Sequence, residues 1–171
     1  MKFERLSSPS VLPEAVVIPV RRLNHAVLFV RDLGRSVDFY TRVLGFEVIA
    51  DGGQAAFLRA RGSDNHHDLG LFVLGPTGRP RSRDQVGLYH LAWEVDTVAD
   101  LATARRELLE AGAYLGESDH GATKSVYGTD PDGNEFEIMW MLPRDQWGEY
   151  EHRAVVRPLD LEREIARWHE G

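Results

Sequence analysis

Residues 23–30 read LNHAVLFV and residues 88–95 read LYHLAWEV. Laid one on the other, Leu88 falls on Leu23, His90 on His25 and Val95 on Val30. Each stretch is short, apolar and rich in branched side chains, the composition of a buried strand. The segments downstream of the two stretches repeat as well. GRSVDFYTRVLG (34–45) places Val37, Tyr40, Thr41 and Leu44 at helical spacing, with Gly45 where a helix C-cap glycine belongs. ADLATARRELLEAG (99–112) is preceded by Thr97, which forms a capping box with Asp100, and closes on Gly112. Three strands complete each unit. They are FEVIA (46–50), QAAFLRA (54–60) and HDLGLFVL (67–74) in the first, then AYLGES, KSVYGTD and NEFEIMW in the second. Asp51-Gly52-Gly53 and Pro131-Asp132-Gly133 supply turns.

One βαβββ unit leaves a sheet face uncovered. Two of them, related by a pseudo-two-fold, can curl their strands into a cup. The expected fold is therefore α+β, with two βαβββ modules forming a cupped mixed sheet over residues 21–142, in modules 21–75 and 86–142. GPTGRPRSRDQ (75–85) joins them as a polar loop, in which Arg79, Arg81 and Arg83 read as solvated surface. Residues 1–20 read as an N-terminal arm. Residues 143–171 read as a C-terminal tail, with a short amphipathic helix from Asp160 to Trp168 that packs on the domain or on a second subunit. Glu149 and Glu151, near Trp147, read as tail surface, and Trp93 and Trp140 as core.

The 171 residues suffice for one domain with a genuine core. A net charge of −7 without a basic run excludes a nucleic-acid surface, because phosphate binding needs clustered Lys and Arg. With no cysteine, the chain has no disulfide, thiol nucleophile, zinc ribbon or iron–sulfur cluster. No apolar run is long enough to span a bilayer, and the N-terminus lacks a signal peptide's apolar region, so a cytoplasmic location is expected. Gly-x-Gly in a strand–helix context, a Walker loop and a Gly-x-Ser-x-Gly elbow are all absent.

His25 and His90 occupy equivalent positions on the two opening strands, and Glu137 lies in the last strand. A lone strand histidine is more often a satisfied structural residue than a ligand, but two at matching repeat positions are harder to dismiss. Glu137 stands between Phe136 and Ile138, where an unpaired carboxylate is costly. Equivalent positions of a two-fold cup converge near its axis. Two imidazoles and a carboxylate then form the facial triad of non-haem Fe(II) enzymes, a donor set that also accepts Mn(II), Co(II), Ni(II) or Zn(II).

HAVLFVRDLGRSVDFYTRVLGF and the DPDGNEFEI ending resemble the glyoxalase/bleomycin-resistance/dioxygenase (vicinal oxygen chelate) superfamily, over about residues 22–142. Within it, His66-His67-Asp68, the segment DHGATKSVYGTDPDGNEFEI (119–138) and the tail PRDQW…RPLDLE (143–162) resemble small catechol 2,3-dioxygenase-like proteins. The resemblance implies the glyoxalase/bleomycin resistance/dihydroxybiphenyl dioxygenase fold, with His25, His90 and Glu137 binding Fe(II). It implies His67 as acid–base, Tyr127, ten residues before Glu137, as a contact to the substrate hydroxyl, and His120 as an orienting residue. It also implies a homodimer acting on a small aromatic substrate and O2.

Three departures stand out. The segment from His120 to Tyr127 is shorter than in the larger dioxygenases, and the chain has two modules where the extradiol enzymes have four. Gly70 or Leu71 falls opposite Glu137 and cannot ligate, which disfavours glyoxalase-type coordination, although His67, two strand positions before Leu69 and on its face, is an alternative source of a ligand. The expected function is an Fe(II)-dependent extradiol dioxygenase. The alternatives are a metal-dependent isomerase, epimerase or lyase on the same scaffold, and a metal-free resistance protein that binds a small molecule.

Overall fold

The computed structural model describes residues 18–80, 82 and 84–168. Most of the expected N-terminal arm, together with Arg81, Arg83 and residues 169–171, lies outside them. The elements are β1 (Ala26–Val30), α1 (Leu33–Arg42), β2 (Glu47–Asp51), β3 (Ala55–Arg59), β4 (Leu69–Val73), β5 (His90–Val95), α2 (Val98–Glu110), β6 (Tyr114–Asp119), β7 (Thr123–Thr129), β8 (Glu135–Met141) and α3 (Leu161–Trp168). Two βαβββ modules are present, each with a four-stranded mixed sheet of the same order: β1-β4-β3-β2 and β5-β8-β7-β6. In both, the opening strand runs parallel to the last strand, and the remaining pairs are antiparallel.

Local chemistry sets the helix ends. Asp32 caps α1 by accepting from the Arg35 amide at 3.0 Å. Thr97 and Asp100 form the expected capping box on α2. Beyond each helix the chain turns at a glycine with positive φ, Gly45 (70°) and Gly112 (64°), a conformation that favours a residue without Cβ.

Alternation along the strands divides each sheet into two faces. In the first module Leu28, Val30, Ala56, Leu58, Leu69 and Leu71 pack with Leu33 and Tyr40 of α1. In the second, Val126, Phe136, Ile138 and Trp140 pack with Leu101 and Leu108 of α2. The opposite face of the first sheet carries Val27 and Phe29, both largely exposed. The modules meet where Phe39 of α1 packs edge-on against Phe136 of β8, and Phe46, just after α1, against Trp93 of β5, at ring separations of 6.0 and 5.1 Å. Arg31 pairs with Asp132 at 2.5 Å, and Tyr40 donates to Asp130 at 3.2 Å.

Trp147 is half-buried and donates its indole N–H to the Leu142 carbonyl at 2.7 Å. Glu149 and Glu151 are exposed, as expected. Helix α3 packs on α2, with Leu161 fully buried and Arg105 reaching Glu162 at 2.6 Å. Among the described residues no helix is long and apolar enough to cross a membrane.

Candidate functional site

The β5–β8–β7 register assembles one half of the site. Ala92 lies beside Glu137 on the parallel side, and Tyr127 lies opposite Glu137 on the antiparallel side. Phe136 and Ile138 take the α2 face, so Glu137 emerges on the other face with Tyr127 and His90. His90 Nε2 stands 3.0 Å from Glu137 Oε2. The second carboxylate oxygen, Oε1, accepts from Ser125 Oγ. Tyr127 Oη lies 2.7 Å from His120 Nε2, and the His90 and Tyr127 rings are 5.9 Å apart. His90, Tyr127 and His120 line a cavity of about 580 Å³ with Tyr89, Leu115, Ser118, Glu135 and Val156. Glu137, which contacts His90, does not line this cavity itself. His120 therefore joins Tyr127 despite the short segment between them.

His25 and His67 form the other half. Their rings are 4.5 Å apart, and His67 packs edge-on against Phe57 at 5.0 Å. His25 Nδ1 is bonded to Asn24 Oδ1 at 2.9 Å. A second cavity, of about 440 Å³, is lined by both His25 and His90. His90 thus borders both cavities. Among the described residues, no three metal-ligating side chains are gathered into one cluster.

His67 does not share the face of Leu69. Leu69 is buried in the α1 core, whereas His67 contacts Phe57 and His25 on the opposite side. The reason is Asp68, whose carboxylate is buried and accepts from the Ala60 amide, Ser63 Oγ and Asn65 Nδ2 at 2.7–2.8 Å. That knot breaks the alternation before β4 begins at Leu69. Gly70 pairs with Val27 as Glu137 pairs with Ala92, so it is the counterpart of Glu137 and offers no ligand.

His90 and Glu137 have the spacing of two donors to one divalent metal, and His25 is not gathered with them. Two ligand atoms bound at right angles, each roughly 2.1 Å from a metal, are about 3 Å apart, and His90 Nε2 and Glu137 Oε2 are 3.0 Å apart. The Ser125 bond to the other oxygen is the outer support that ligating carboxylates usually have. Burial, and then the Glu137 charge, push the Tyr127 phenol up to about 12, so it stays protonated at neutral pH. The His67 pKa is lowered by burial and then by the neighbouring His25 and His66, which favours its neutral form.

Ser125 escaped the sequence reading, although its period-two spacing from Tyr127 places it on the same face. The Val155 carbonyl, 3.1 Å from His120 Nδ1, had no signal in sequence, because any residue supplies a backbone oxygen.

A family model described as Glyoxalase/Bleomycin resistance protein/Dioxygenase superfamily matches residues 22–138. A catechol-2,3-dioxygenase of Bacillus subtilis (strain 168) is 33% identical over 73% of this chain, which spans only 43% of that enzyme's length. A metallothiol transferase FosB of Lysinibacillus sphaericus (strain C3-41) is 31% identical over 70% of this chain and 82% of its own. A solved glyoxylase/bleomycin resistance protein/dioxygenase domain from Frankia sp. EAN1pec shares the fold with a TM-score of 0.61, at 23% identity over 72% of this chain and 99% of that one. Most related sequences of known activity are enzymes, and they include both dioxygenases and thiol transferases. With the two modules, their matching strand order and the match across both, the chain belongs to the glyoxalase/bleomycin resistance protein/dioxygenase superfamily.

Proposed function

We propose that the chain is an extradiol ring-cleavage dioxygenase acting on a catechol-like aromatic and O2, with Fe(II) held by His25, His90 and Glu137. The observation that carries this reading is the gathering of His90, Tyr127 and His120 around one cavity, with Glu137 against His90. Among the described residues no Lys or Arg lines that cavity, so an anionic substrate would lack a cationic partner, and a neutral phenolic one is favoured. When bound, iron would supply a common attachment for two vicinal oxygens and O2. Tyr127 is a neutral hydrogen-bonding partner for a substrate hydroxyl, and His67 is a neutral imidazole able to take up and return a proton. Leu115, Tyr89 and Val156 give the cavity an apolar rim suited to an aromatic ring.

One exposed apolar face suits a homodimer. Val27 and Phe29, on one face of β1, present exposed apolar surface that a second copy would cover. A second reading, a metal-dependent isomerase, epimerase, lyase or transferase, is favoured by the fuller coverage of the metallothiol transferase relative.

The test is O2 uptake. The full chain, loaded anaerobically with Fe(II) and given a panel of catechols, should consume O2 on admission of air. Iron bound without uptake across the panel would transfer the assignment to the second reading.

A further inference from the structure

The turn between β6 and β7, His120–Ala122, is gripped by the tail segment from Tyr150 to Arg157. Asp119 and Arg157 exchange two backbone hydrogen bonds, at 2.8 and 2.9 Å. The Arg157 guanidinium reaches Asp119 Oδ2 at 3.3 Å and Tyr150 Oη at 3.1 Å. The Tyr150 ring lies so close to Gly121 that a Cβ there would fall 2.5 Å from a ring carbon. Beneath the turn, buried Lys124 bonds Asp119 Oδ1 at 2.7 Å and the Gly121 carbonyl at 2.8 Å. The strap held in this way brings the Val155 carbonyl to 3.1 Å from His120 Nδ1, while His120 Nε2 faces Tyr127 Oη at 2.7 Å. The next residue, Val156, lines the same cavity as His120 and Tyr127.

A carbonyl oxygen can only accept, so His120 Nδ1 carries a proton. In the neutral ring Nε2 is then bare and accepts from the Tyr127 hydroxyl. The tyrosine proton is committed to His120; Ser125 also stands within hydrogen-bonding reach of the Tyr127 oxygen, and its remaining lone pair is left for the cavity that Tyr127 lines.

We propose that the strap Tyr150–Arg157 is a positioning element of the site: its Val155 carbonyl fixes His120 in the Nδ1–H form and makes Tyr127 an acceptor for a substrate hydroxyl. The proposal rests on the dioxygenase reading only for the identity of that hydroxyl. As the substrate O–H gives its proton to the Tyr127 oxygen, the Tyr127 proton passes to His120 Nε2. Two bonds to hydrogen break and two form. The tyrosine is regenerated, the substrate oxygen becomes anionic and the ring becomes an imidazolium with Nδ1–H still on Val155. Val155 and Arg157 act only through His120.

The test is ¹⁵N NMR of the full chain labelled at histidine, without added iron, with His120 assigned by its loss in His120→Gln. The expected spectrum has a protonated Nδ1 and a bare Nε2 at His120. Arg157→Pro, which loses both the backbone donor and the guanidinium, should shift His120 to the averaged tautomers of a free histidine, whereas Arg157→Lys should keep the wild-type signature. If Arg157→Pro does not fold, Tyr150→Ala loosens the same grip and should give the same averaging. A proton on Nε2 in the wild-type chain, or Nδ1–H unchanged in a folded strap variant, would overturn the proposal. The expected tautomer together with no catechol-dependent O2 uptake would sink the dioxygenase reading and leave the strap's role standing.

Discussion

Glu137 sits in a strand whose neighbours Phe136 and Ile138 are buried, yet its own carboxylate is held by Ser125 on one oxygen and faced by His90 on the other. The carboxylate is thereby oriented before any ligand arrives, which is what a binding group needs. Ser125→Ala frees Oε1 and should weaken metal binding about 10–100-fold without unfolding the chain, the usual effect of losing an outer support; unchanged affinity in a metal titration would make Ser125 a packing residue. His67→Ala should leave metal content intact and slow turnover roughly 10²–10⁴-fold, the range for a general acid–base group. Full activity in that variant would remove His67 from the chemistry. Tyr127 and His120 were both named by the resemblance, but their mutual hydrogen bond was not legible, because it depends on how the β6–β7 turn folds back.

At the scale of elements, that turn is held by a buried charge pair. The side chains of Asp119 and Lys124 are 7% and 5% exposed, so neither charge has water to fall back on. Burial alone would raise the Asp119 pKa, but the Lys124 ammonium, the Gly121 amide and Arg157 outweigh it and hold the carboxyl below its usual range. A carboxylate depressed in the folded state contributes stability above its unfolded pKa of about 3.9 and loses it as pH falls through the folded value. Asp119→Asn should therefore be less stable than the wild type at pH 7 and lose less on acidification, so that the two stabilities converge below about pH 4 in denaturant unfolding. Lys124→Met leaves the carboxylate buried without its main partner and should cost about 3–5 kcal/mol in the same measurement. Strand and helix positions were readable because their periodicity reports burial directly; Leu69 and Leu71 are fully buried, as the run HDLGLFVL implies. The facing of His67 was not readable. Alternation extrapolated back from Leu69 fails because the Asp68 side chain takes the Ala60 amide and draws Ser63 and Asn65 into a knot just before β4.

Over the whole molecule, the repeat was plain in two aligned strands, but the relation between the modules was not. Their docking depends on Arg31, Phe39, Tyr40 and Phe46 of the first module meeting β5, β8 and the β7–β8 turn, contacts of long sequence separation that no local pattern encodes. The result is a site in two halves, His25 with His67 and His90 with Glu137, joined by a cavity that touches both opening-strand histidines. The exposed Val27 and Phe29 belong to the first half. Phe29→Glu should convert the proposed homodimer to monomer in light scattering, and a wild-type chain that is already monomeric would remove the dimer. Both halves are proposed to serve one metal. Anaerobic equilibrium dialysis with Fe(II) of the wild-type chain, His25→Ala, His90→Ala and Glu137→Gln tests this directly. One tightly held iron per chain in the wild type, lost in all three variants, is the predicted result; tight binding that survives in His25→Ala or His90→Ala would contradict it.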